Sequence, residues 1–176
     1  MSNKFLIAAA AALVAAVASP VLAQSSASTT GTGSITIIRP ITIAKTADLA
    51  FGTVVRPSTG AGTAVVSAAG ARTVTGGVVG LSSGATPAAA AFTVTGEGGQ
   101  SISVTIPATF TMINGADSLT VTTSNNLTGS ASAQTLSNAL GAAGTLGFTV
   151  GGSVPIASTT TTGLYSGTFT VSAAYN

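Results

Sequence analysis

Apolar and small polar side chains alternate strictly at several places along the chain, the period-two pattern of strands with one face buried and one in water. Ser101 to Pro107 sets Ile102, Val104 and Ile106 against Ser101, Ser103 and Thr105. Phe92 and Val94 precede it across a Gly98-Gly99 turn, and Leu119 and Val121 follow an Asn114-Gly115 turn. Leu146, Phe148 and Val150 run up to a predicted turn at Gly151-Gly152. Shorter runs predict weaker strands at Leu49 to Phe51, Thr63 to Ser67, Arg72 to Thr75 and Val154 to Ile156. Ser132 to Ala143 reads either as one short helix, because Leu136 and Leu140 stand four apart, or as a loop. Thr159 to Thr162 reads as a polar linker or a hairpin arm. Turn residues recur at intervals of about 8–12 positions, the rhythm of a sandwich or barrel, so an all-β domain follows.

The two ends are the most informative parts. From Gly163 to Asn176, Tyr165, Gly167, Phe169, Val171, Ala173 and Tyr175 fall on one face, with Leu164, Ser166, Thr168, Thr170, Ser172 and Ala174 on the other. A strand that keeps its large side chains in register to the end of the chain is unlike a frayed tail. Near the other end, Gln24 to Gly33 is rich in Ser, Thr, Gly and Ala and has no large apolar group. It cannot bury enough surface to order itself. Ile35, Ile37, Ile41 and Ile43 then share one parity, interrupted by Arg39-Pro40. Two extended segments hinged at Pro40, or one long edge strand, account for this pattern, because proline cannot donate to a ladder.

Composition narrows the function. The 176 residues include 30 threonines, only 5% charged residues, and neither histidine nor cysteine. Zinc or haem ligation, thiol chemistry, disulfides and a histidine general base are therefore excluded, and no cofactor is expected. Met1 to Ala23 reads as a cleavable signal peptide, with Lys4 in a cationic start, an apolar run from Phe5 to Val17, and Val21-Leu22-Ala23 before the cut. Export through a bacterial inner membrane, by way of the periplasm to the cell surface, is the expected route. Beyond residue 23, Arg39, Lys45, Arg56 and Arg72 face Asp48, Glu97 and Asp117, too little charge for a nucleic-acid surface. These three carboxylates read as solvated loop acids, and Lys45 with Asp48 as a surface ion pair.

Two resemblances follow from these residues. Gly163 is fourteenth from the end, Tyr175 is penultimate and apolar residues alternate between them, which resembles the terminal strand of chaperone-usher pilus subunits. That resemblance implies an immunoglobulin-like antiparallel β-sandwich lacking one strand. It also implies a periplasmic chaperone, an outer-membrane usher and neighbouring pilin-like subunits as partners. Carried over by position, Gly163, Tyr165, Gly167, Phe169, Val171 and Tyr175 line the acceptor groove or chaperone-binding strand, and Ile35, Ile37, Ile41 and Ile43 form the donor strand. The chain also resembles the secreted bacterial family of domain of unknown function 4402, through Leu49-Ala50-Phe51-Gly52, Phe92-Thr93-Val94-Thr95-Gly96, Ile106-Pro107, Val150-Gly151-Gly152 and Gly163-Leu164-Tyr165-Ser166-Gly167 through Tyr175-Asn176.

The expected organisation is a signal peptide over 1–23, an N-terminal extension and donor strand over 24–38, and one β-sandwich over 39–176. The expected function is that of a non-enzymatic structural subunit of a pilus or fibre, built by donor-strand complementation and serving adhesion. The alternative is a monomeric secreted carbohydrate- or surface-binding module. A strand closing its own sandwich and one donated to a neighbour need the same side chains, so parity does not separate the two.

Overall fold

The computed structural model describes residues 26–176. The predicted signal peptide and the first two residues of the predicted extension lie outside the described residues. The chain divides into two units, Met1–Ile35 and Thr36–Asn176. In the first, residues 26–35 have no regular secondary structure and are exposed, as a stretch without large apolar groups before Ile35 dictates.

The second unit is built from antiparallel strands, and no helix occurs among the described residues. In chain order the strands are β1 (Thr42–Ala47), β2 (Val54–Val55), β3 (Ala61–Val66), β4 (Arg72–Thr75), β5 (Val79–Gly80) and β6 (Ala90–Glu97). They continue as β7 (Ser101–Thr105), β8 (Thr109–Asn114), β9 (Asp117–Asn125), β10 (Gln134–Thr135), β11 (Ala143–Ala157) and β12 (Ser172–Tyr175). One sheet runs β1-β6-β11-β3-β4, with β9 also paired to β11 and β8 to β9; a second runs β10-β7-β12, and β2 pairs β5. The arrangement is a curled sandwich.

The strictly alternating segments are all strands, and their buried parity is the apolar one. Ile102 and Val104 on β7 face Phe92 and Val94 on β6 across one cluster that also holds Phe148, Val150 and Leu136. Phe92 and Phe148 are register partners with rings stacked at 5.5 Å. A second cluster gathers Ala64, Val78, Val121, Val154 and Ile156, and Leu49 packs against both. Gly99 and Gly115 sit at the two predicted hairpin turns with positive φ.

Three local expectations are corrected, and for Ser132 to Ala143 the loop alternative holds, apart from the two residues of β10 and Ala143 at the start of β11. Gly151-Gly152 is not a turn; β11 passes straight through it, joining the predicted strands on either side. These glycines serve close approach instead, because β3 and β9 flank this point on opposite edges. A Cβ on Gly151 would strike the Val66 carbonyl, and one on Gly152 would meet Val121 Cγ1 at 2.8 Å. Ser132 to Ala143 is not helical: Leu136 is 1% exposed and Leu140 57%, so the two do not share a face. Leu49 to Phe51 contributes only a bridge, Ala50 to Ala88. Thr109 to Asn114, not read as a strand, is β8, with Phe110 and Met112 opposite Val121 and Leu119 of β9.

Candidate functional site

Two strand edges are left unpaired beside one another. β1 hydrogen-bonds to β6 along one edge, and no strand covers its other edge among the described residues. β12 is likewise paired only to β7. Between Gly163 and Val171 the chain is extended but makes just one bridge, Ser166 to Ile113, with backbone bonds of 2.8 and 3.1 Å. Gly163 starts this stretch at φ +146°, open to glycine, while the Asn114 Nδ2 donates to the Thr162 carbonyl at 3.3 Å. Gly167 lies flat on β8, where any side chain would strike the Thr111 carbonyl.

A cleft of about 290 Å³ opens between the end of β1 and the stretch before β12, with Lys45 and Asp48 on one lip, Tyr165 to Phe169 on the other, and Leu49, Ala90, Phe92, Phe110 and Met112 within. Phe169 anchors its wall, its ring 6.1 Å from Phe92 and 4.8 Å from Phe110. A second cavity of about 520 Å³ shares Leu49, Met112 and Tyr165 and continues under Leu164. Lys45 Nζ and Asp48 Oδ1 form an ion pair at the lip.

The other end of this open side is closed by a clasp. Glu97, at the end of β6, is 2% exposed. Its Oε2 accepts from Arg39 Nη1 at 2.8 Å and from the Arg39 amide at 3.2 Å, and its Oε1 accepts from the Gly141 amide. Arg39 Nη2 donates to the Gly141 carbonyl at 3.1 Å. The Tyr175 hydroxyl accepts from the Glu97 amide at 2.6 Å and donates to the Arg39 carbonyl at 2.9 Å. The Gly141 amide is the chief reason that the Glu97 carboxyl lies below its ordinary range; burial opposes this, and the amide and guanidinium of Arg39 add to it. Glu97 is thus a correction to the reading of three solvated acids, which describes exposed Asp48 and Asp117.

The predicted site residues separate into groups. Tyr165, Phe169, Val171, Ala173 and Tyr175 are half-buried and alternate with exposed neighbours, while Gly163 and Gly167 are exposed. Phe169, Val171, Ala173 and Tyr175 pack against the first core cluster. Tyr165, Gly167 and Phe169 line the cleft, Tyr175 belongs to the clasp, and Gly163 borders the second cavity. Of the isoleucines, Ile43 lies on β1 opposite Val94 of the same chain, and Ile41 packs on the first cluster. Ile35 and Ile37 are each 84% exposed. Sequence reasoning missed the clasp; its only signals were an acid inside a glycine turn and an arginine before Pro40.

The fold is that of an antiparallel, sandwich-like all-β domain. The chain belongs to the family described as Domain of unknown function (DUF4402), whose model matches residues 41–175, from just before β1 to the end of β12. No curated protein and no solved structure matches it.

Proposed function

We propose that the protein is a non-enzymatic structural subunit of a cell-surface fibre, exported by its signal peptide and assembled by strand donation between immunoglobulin-like subunits. The observation that carries this reading is the uncovered cleft between the unpaired edge of β1 and the segment from Tyr165 to Phe169. An extended peptide with apolar side chains at period two satisfies the free backbone groups and the apolar floor together. Ile35 and Ile37, outside any strand and exposed, have that spacing. Burying two isoleucines is worth about 3–6 kcal/mol before ordering costs, an upper estimate set against a total domain stability of roughly 5–15 kcal/mol.

The low charge supports the same reading. A surface with so few ionisable groups has little electrostatic protection against association, and a subunit packed among copies needs little. A periplasmic chaperone that covers the cleft during export, and an usher, are the partners this assembly calls for.

Electron microscopy of the protein purified after export tests the proposal. Filaments are expected, and Ile37→Asp should abolish them, because a carboxylate cannot be buried unpaired on an apolar floor. Filaments of normal length from the Ile37→Asp chain, or single particles at every concentration of the parent chain, would overturn it. Single particles are what a monomeric carbohydrate- or surface-binding module would give.

A further inference from the structure

We infer that the clasp of Arg39, Glu97 and Tyr175 makes strand insertion intermolecular, so that the occupant of the cleft beside Tyr165 to Phe169 is the segment Ile35 to Ile37 of a second copy. This rests on the strand-donation reading and specifies its partner, its register and the device that sets both.

The argument is one of reach. The Arg39 amide and guanidinium are both bonded to Glu97, so the root of the arm is fixed at the last residue of β6. The cleft lies at the opposite end of that strand, against Ala90 and Phe92. At about 3.4 Å per residue, the five steps from Glu97 back to Phe92 cover about 17 Å, and the seven to Ala90 about 24 Å. Ile37 is two residues before Arg39 and can stand no more than about 7 Å from it; Ile35 can stand no more than about 14 Å away. A chain held at Arg39 cannot lay both isoleucines on its own cleft floor.

The chain that follows Arg39 is committed elsewhere. Ile41 is packed on the core and Thr42 to Ala47 are in the ladder with β6, so none of it is free to cover the cleft. Thr36 to Ile38 border a recess formed with Arg39, Glu97, Leu140 and Gly141, at the clasp end of the sandwich. The donated segment therefore ends at Ile38, while Ile41 packs on the subunit's own core and Ile43 belongs to its own sheet.

Freeing the root removes the restriction. Without the bonds to Glu97, the chain before the packed Ile41 gains Arg39 and Pro40 as slack, and it can fold back along the free edge of β1. Glu97 and Tyr175 thus act as positioning residues for the arm and touch no incoming side chain.

Crosslinking tests this directly, because the chain has no cysteine of its own. Ile37→Cys and Thr168→Cys place one thiol on the arm and one on the lip of the cleft, and oxidised glutathione closes any pair that meets. The full chain carrying both is oxidised at low concentration, and chains carrying one each are oxidised as a mixture. The expected result is disulfide between chains in both samples, with no closed monomer. Adding Glu97→Ala, which removes the acceptor of both Arg39 bonds, or Arg39→Ala as the milder variant, should produce a closed monomer that the parent lacks. Crosslinks that stay wholly between chains in both clasp variants would overturn the role of the clasp and leave strand donation standing. A closed monomer in the parent would overturn the intermolecular assignment. No crosslink of either kind, in protein shown to be folded by circular dichroism, would overturn strand donation itself.

Discussion

Tyr175 is the next-to-last residue, yet its hydroxyl lies 2.6 Å from the backbone amide of Glu97, 78 positions earlier. The same oxygen donates to the Arg39 carbonyl, so one phenol joins the last strand, the end of β6 and the approach to β1. Tyr175→Phe keeps the ring on the core and removes both bonds. The Glu97 amide is then left without its acceptor, at a cost of about 1–3 kcal/mol. A urea unfolding curve of the variant should show a lower midpoint with an unchanged slope; an unchanged midpoint would remove the hydroxyl from the clasp.

Acid should weaken the clasp in a defined direction. The Glu97 carboxyl is held below its ordinary value of 4.5, so its folded form binds a proton less readily than its unfolded form. Its contribution is complete above the unfolded value and disappears as the pH falls through the lower, folded one. The unfolding midpoint should therefore be level from neutral pH down to about 5 and decline below about 4.5 as protonation sets in. In Glu97→Gln the part of that decline due to this carboxyl should be missing. Two curves that fall in parallel would contradict the assignment.

The first core cluster predicts a large effect of removing a ring. Phe148 is 3% exposed and stacked on its register partner Phe92. Phe148→Ala should cost about 3–5 kcal/mol, by lost transfer free energy and the cavity left behind. Phe148→Leu, which retains most of the volume, should cost clearly less in the same chemical denaturation experiment.

The glycines within β11 predict the opposite kind of damage. A side chain on Gly151 meets the backbone carbonyl of Val66, which cannot swing away as a flexible side chain would. Gly151→Ala should destabilise by about 1–3 kcal/mol as an overpacked site. Gly147→Ala on the same strand, where a Cβ meets nothing within 4 Å, is the control and should cost much less in the same assay.

Period two was easily read where it was long and strict. Ser101 to Thr105, Phe92 with Val94, and Leu146 to Val150 all lie on strands whose apolar parity is inward, because burial of one face is what writes that pattern. The half-buried parity of the chain's last dozen residues was visible for the same reason, although only Ser172 to Tyr175 is laddered. A glycine pair, by contrast, has two physical uses. Gly98-Gly99 allows a turn, whereas Gly151-Gly152 admits neighbouring strands, and sequence alone does not distinguish them. Glu97 was misread because its environment is assembled from Arg39, Gly141 and Tyr175, all distant in sequence. These four isoleucines look alike by parity, yet Ile41 packs on the core and Ile43 is laddered in β1, whereas Ile35 and Ile37 before the clasp are exposed.

β11 is paired along one edge to β6 and then β3, and from Val150 to Ser153 its other edge is paired to β9. Within Val150 to Ser153 the amides cannot open by fraying from a rim. Solvent deuterium can reach them only when several ladders separate together, which places Val150 to Ser153 among the last backbone positions to lose their protons to exchange.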